Sequence, residues 1–184
     1  ARRALGEIAV AHGFNVMRDG DNEVAVGVLE QARAVLRSID GLELNDLSAA
    51  AVFTEATAWQ MDALGALRRA DEARRNGVEA KAVADGILGR QPGHLLALRG
   101  RALIQTNLGD LEGDRLRFPE AMRLYEAAAR AYESYLKVDA GNTIAWNNLA
   151  AQRQLLANYN EGLGRPQAAL RQFRAASIAA RRGG

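Results

Sequence analysis

Apolar residues return at intervals of three and four along most of the chain, as in Val28, Leu29, Ala32, Val35 and Leu36. No stretch sustains the strict alternation of a half-buried strand, so the periodicity predicts helices. Clusters of Gly, Asp, Asn and Pro interrupt it at 18–22, 40–46, 75–77, 91–93, 109–114, 139–142 and 164–166. The expected helices therefore run over 2–18, 22–38, 47–74, 78–90, 94–108, 118–138, 142–163 and 166–181. Short connections favour antiparallel neighbours, which pairs these helices into four hairpins, at about 1–40, 45–91, 93–139 and 142–182.

The spacing of the hairpins carries more information than their number. Aligning residues 91–94 with 139–142 gives a repeat of 48 residues. Within it Trp146, Leu149 and Ala150 open one hairpin and Ala169, Phe173 and Ala176 close it, with Leu163-Gly164 between them. One hairpin earlier, Leu98, Ala102 and Leu108-Gly109 take the first-helix positions and Ala121, Tyr125 and Ala128 the second-helix ones. Ala25, Leu29 and Ala32 fit the first hairpin, and Ala80, Ala84 and Ile87 fit the return helix of the second. These half-motifs resemble the tetratricopeptide repeat (TPR), whose unit is about 34 residues, lengthened by two heptads. A heptad turns a helix to within about 20° of two full turns, so each helix grows while its packing face stays in place. Trp146 is then expected to be buried between the last two hairpins. Arg101 and Arg153 depart from the pattern, standing where that family has apolar or aromatic residues.

The resemblance implies an all-α, right-handed α-solenoid of about four antiparallel hairpins, one TPR-like domain over 1–184, forming part of a longer chain. In the TPR family the first helices line a concave groove that holds peptide segments. Long-helix variants of this kind look like those appended to bacterial signalling proteins. On a helical wheel Asn147, Ala151, Gln154 and Asn158 share one side of their helix, away from Leu149 and Leu156. Asn147 sits where a groove residue is expected, and Arg99 is its counterpart 48 residues earlier, with Leu103 and Thr106 on the same side. Amide side chains both donate and accept, which suits the backbone of an extended peptide. The expected partner is a protein or peptide segment held on Arg99, Leu103, Thr106, Asn147, Ala151, Gln154 and Asn158; the alternative is a helical sensor for a small molecule or signalling peptide.

Composition and charge narrow the other classes. The 184 residues are 48% hydrophobic but only 5% aromatic, which suits helices packed closely through Ala and Leu. With 24 basic and 22 acidic residues, the net charge of +2 gives little pull on nucleic acid or an anionic membrane. No apolar run is long enough to span a bilayer, and the absence of cysteine fits a reducing, cytoplasmic setting. His12 and His94 lie in different hairpins, and His94 reads as part of a helix start rather than a metal ligand. Asp110, Glu112 and Asp114 read as a solvated acidic loop, and the paired arginines, such as Arg68-Arg69 and Arg181-Arg182, as solvated helix ends. No metal, cofactor or catalytic constellation is expected, and the chain reads as a non-enzyme.

Overall fold

A computed structural model of the protein describes residues 1–39 and 46–184. The described residues form eight helices: α1 (Arg2–Arg18), α2 (Asn22–Arg37), α3 (Leu47–Ala66), α4 (Ala70–Arg90), α5 (Leu95–Asp114), α6 (Phe118–Val138), α7 (Thr143–Gly162) and α8 (Pro166–Gly183). The fold class is all-α, four consecutive antiparallel hairpins of the α-solenoid kind. Two of the expected breaks are wrong. Residues 75–77 lie inside α4 and 109–114 inside α5. Asn76 and Gly77 do not stop α4, and Gly109 and Gly113 do not stop α5, because in each case the real turn lies elsewhere. The break expected at 40–46 lies, apart from Asp46, outside the described residues.

All four hairpin turns are built alike. Gly20, Arg68, Leu116 and Gly164 have positive φ, at 92°, 60°, 60° and 68°, and each follows the last by 48 residues. In every case the left-handed residue donates its N–H to a carbonyl three residues back, as Leu116 does to Gly113 at 2.9 Å and Gly164 to Glu161 at 2.9 Å. The next residue donates to the carbonyl five back, as Arg117 does to Glu112 and Arg165 to Asn160. This pair of bonds satisfies carbonyls that a helix end otherwise leaves open. Sequence reading finds such a turn where it carries Gly20 or Gly164 and misses it where an L-residue, Arg68 or Leu116, bears the strain.

The caps of the first helices keep the same spacing. Asp46, His94 and Asn142 accept from the backbone N–H groups of Ala49, Ala97 and Ala145, at 2.9, 3.3 and 2.9 Å. His94 thus caps a helix start, as its sequence context suggests.

The chain divides into two compact units, Ala1–Asn107 and Leu108–Gly184, with the boundary inside α5. In the first unit α1 packs on α2, α2 on α3 and α3 on α4. The paired helices approach closely because small residues face large ones. A Cβ on Gly13 would fall 2.6 Å from Leu29 Cγ, and one on Gly6 2.7 Å from Leu36 Cδ2. In the second unit the same device recurs at Gly109, where a Cβ would fall 2.7 Å from Tyr125 Cε1. Gly13 and Gly109 stand at one register of the repeat, and Leu29 and Tyr125 at another. At the matching places of the second hairpin the sizes are exchanged, with Met61 and Gly77, both buried. The alanines at 25, 73, 121 and 169 and at 32, 80, 128 and 176 are buried in every hairpin.

Trp146 differs from expectation. It is only half-buried, its Nε1 donating to the Ala140 carbonyl at 2.9 Å while the Arg182 guanidinium lies over the ring at 4.8 Å. A bulky ring with an N–H that needs an acceptor is accommodated at the edge of the packing better than in an alanine-rich interior.

Close approach makes a direct prediction. Gly109→Val should destabilise the protein by about 1–3 kcal/mol, because the Tyr125 ring cannot yield without repacking. Gly27→Ala, at a helix position where a Cβ meets nothing within 4 Å, should stabilise it by about 0.4–1 kcal/mol. Denaturant midpoints of the two variants check both signs.

Candidate functional site

The four site residues expected on α7 form a continuous exposed stripe: Asn147, Ala151, Gln154 and Asn158 are all open to solvent. The 3.6-residue period puts them on one side of the helix, while Ala145, Leu149, Gln152 and Leu156 are buried. Asn147 spends one donor on the Gly183 carbonyl at 3.2 Å, which ties the start of α7 to the end of α8. Asn158 lies at the lip of an open cleft of about 380 Å³ lined by Phe118, Tyr159, Gly162 and Leu163.

The three expected residues on α5 belong to the first unit. Arg99, Leu103 and Thr106 are half-buried. The Arg99 guanidinium pairs with Glu55 of α3, and the Thr106 hydroxyl donates to the Ala102 carbonyl of its own helix at 2.9 Å. Arg99 therefore ties two first helices together, a role the sequence reading did not assign to it.

The opposite side of α7 carries a feature the sequence reading missed. Leu136 and Ala140 from α6 and the turn after it, Trp146, Leu149 and Arg153 from α7, and Ile178 and Arg182 from α8 help to line a second open cleft, of about 400 Å³. Arg153 is half-buried there, paired with Glu133 of α6 and donating to Gln172 of α8 at 3.1 Å. Arg101 makes the corresponding contact in the first unit, with Asp85 of α4 at 2.9 Å. Asp85 and Glu133 stand 48 residues apart. The two arginines that depart from the repeat pattern thus link their hairpin to the second helix of the one before, an ionic contact where a motif reading looks for an apolar one.

A second missed feature is a buried polar junction in the first unit. Arg33 of α2 is 1% exposed. It donates to Gln60 at 2.5 Å, to Glu30 at 2.8 Å and to Glu79 at 3.0 Å, and its guanidinium lies over the Phe53 ring at 5.4 Å. Gln60 in turn donates to Glu30 and accepts from Asn76, while Arg37 grips Glu79 at 2.6 Å. Arg33 falls on an otherwise apolar face of α2, the one signal that could have revealed it. The acidic run of α5 is likewise no loop: Asp110 accepts from the Tyr125 hydroxyl at 2.6 Å, and Glu112 is buried beside Arg117. Burial and the Asp110 partner push the Tyr125 phenol well above its ordinary range, so it stays a donor at any physiological pH.

Among the described residues no three metal-ligating side chains gather into a cluster, and no helix is long and apolar enough to cross a membrane. No family model matches the chain, and no curated protein matches it in sequence.

The polar junction has a pH signature. Burial by itself raises the Glu30 carboxyl, but the Gln60 amide, Arg33 and Arg37 outweigh it and leave the pKa below the ordinary glutamate value. A depressed folded-state pKa gives stability that is present above the unfolded value and lost as the pH falls through the folded one. Glu30→Gln should therefore lower the melting temperature most at about pH 7, with the difference from the parent shrinking below about pH 4. Thermal melts across that range measure it, and a pH-independent difference would contradict the electrostatic role.

Proposed function

We propose that the chain is a protein-interaction module, a long-helix TPR-like repeat domain that holds an extended segment of a partner along the first helices of its hairpins. The observation that carries this reading is the α7 stripe. Gln154 and Asn158 are exposed and make no hydrogen bond among the described residues, and Asn147 keeps the rest of its amide free. Such a row can satisfy the alternating N–H and C=O groups of an extended backbone without competing with the core. The 48-residue turn period supports the kinship with helical repeats, as does the recurrence of buried alanine at two registers in every hairpin. A role as one part of a larger regulator of the bacterial signalling kind follows from the same resemblance.

A small-molecule sensor is the weaker reading, because both clefts in the second unit are open rather than enclosed, and drug-sized ligands are held by pockets that bury most of their surface. In the first unit the Arg99 guanidinium is partly spent on Glu55.

A partner recovered by pull-down and titrated calorimetrically gives the test. Asn147→Ala with Asn158→Ala, and separately Gln154→Ala, should each weaken binding by about 0.5–1.5 kcal/mol per hydrogen bond lost, with the circular dichroism melt nearly unchanged. Full affinity in both variants would remove the α7 stripe from the binding surface.

A further inference from the structure

Asn158, the last amide of the α7 stripe, opens onto the cleft of about 380 Å³ that Phe118, Tyr159, Gly162 and Leu163 also line. These residues come from the start of α6 and the end of α7 with its C-cap, so α8 and whatever follows it form no part of the walls. The walls are apolar and are held from behind. The Tyr159 ring lies 5.7 Å from Phe118 and 5.6 Å from Tyr125, and Tyr125 is buried in a cluster with Leu156. Leu163 is 42% exposed, and Leu116, in the turn just before Phe118, is 73% exposed. The repeat does not itself call for such a lining, because 48 residues earlier Phe118, Tyr159 and Leu163 are matched by Ala70, Leu111 and Arg115.

The charge beside the cleft is negative. Helical spacing puts Glu161 on the same side of α7 as Asn158 and Gly162. Its carboxylate is exposed and makes no ion pair among the described residues, Arg165 beyond the turn included. From Asn147 to Asn158 the stripe runs about 16 Å along the helix, the length of about five residues of extended chain. An extended segment that uses every amide of the stripe therefore delivers its following side chains to the cleft and to Glu161.

We propose that the partner segment held by the α7 stripe carries one large apolar side chain, Leu, Phe or Trp, that seats between Phe118, Tyr159 and Leu163, and a neighbouring Lys or Arg that pairs with Glu161. The proposal rests on the reading of the stripe and adds what the amides cannot supply. Amides fit any extended backbone, whereas an apolar cleft beside an unpaired acid selects a sequence. A few side chains seated in preformed pockets carry most of the binding energy of an interface, and the ring of Tyr159 is already fixed by its two aromatic neighbours. A whole small ligand is poorly held by so open a cleft, and Glu161 opposes an anionic lipid surface.

The test selects a phage-displayed library of random peptides of about twelve residues, long enough for stripe and cleft together, on the parent protein and on Gly162→Leu. That variant adds a side chain at the cleft wall where a Cβ meets nothing within 4 Å, so it blocks the cleft without disturbing the packing. Peptides enriched on the parent should pair a Leu, Phe or Trp with a nearby Lys or Arg. With the best-enriched peptide in fluorescence anisotropy, Ala in place of its apolar residue and Gly162→Leu in the protein should each weaken binding by at least about tenfold. Glu161→Lys should weaken it by at least about threefold, the loss shrinking with added salt. Asn147→Ala with Gln154→Ala should weaken it as well, with melting curves confirming that all variants are folded. Undiminished binding to Gly162→Leu beside a loss in the stripe variant keeps the stripe and overturns the anchor; the reverse result removes the stripe reading and the proposal with it. No enrichment, or enrichment of acidic peptides, overturns the proposal too. So does a dimer in sedimentation velocity that Gly162→Leu dissolves, which makes a second copy the occupant.

Discussion

The structure depends on how closely two helices of a hairpin can approach. Leu29 lies where Gly13 has no side chain, and Tyr125 lies where Gly109 has none. Dispersion falls off steeply with distance, so a gap of even half an ångström forfeits a good part of each contact. With so few aromatic residues, the protein gains its cohesion from many short contacts among Ala, Gly and Leu. This explains why alanines recur at fixed places in every hairpin, and why Met61 and Gly77 can exchange the large and small roles without breaking the pattern.

Close packing of this kind demands that the chain reverse in the same way each time. The four turns share one hydrogen-bonding pattern and one left-handed residue, and their 48-residue spacing keeps each second helix in register with its first. Two of the four bear that conformation on Arg68 and Leu116, where an L-residue is held at a cost of about 1–2 kcal/mol. The paired carbonyl bonds and the packing that follows offset that cost. Within each unit, contacts between hairpins are more varied than those inside them. Arg33 with Gln60 and Glu79, Arg99 with Glu55, Arg101 with Asp85 and Arg153 with Glu133 all join neighbouring hairpins through charge. Ionic junctions need specific geometry, so they fix which faces meet while the alanine pairs supply most of the attraction.

Surface chemistry is distributed unevenly over this scaffold. The stripe of α7 offers neutral amides, the cleft at its Asn158 end offers Phe118, Tyr159 and Leu163, and the cleft at Trp146 is closed over in part by Arg182. A chain whose charges nearly cancel overall can thus present locally distinct faces, because each exposed helix side takes its character from four or five residues at helical spacing.

The sequence alone determined the helical class, the antiparallel pairing and the 48-residue period, since these follow from local periodicity and from turns that carry glycine. It also placed Asn147, Ala151, Gln154 and Asn158 on one exposed side, because facing on a helix is set by the 3.6-residue turn whatever the surroundings. Tertiary structure decided the rest. Asn76-Gly77 and Gly109 to Gly113 look like breaks in the chain, yet they are helical, because a glycine on a packed face is there to admit a neighbour and no local signal separates that use from a turn. Arg33 looks like a surface charge, and only Gln60 and Glu79, brought to it from other helices, give its burial a favourable outcome. Trp146 looks like core and stands at an edge, and Arg99 looks like a free groove residue and is half committed to Glu55. For Arg33 and Arg99 the deciding partners, Gln60 and Glu55, lie 27 and 44 residues away, beyond the reach of any pattern read along the chain.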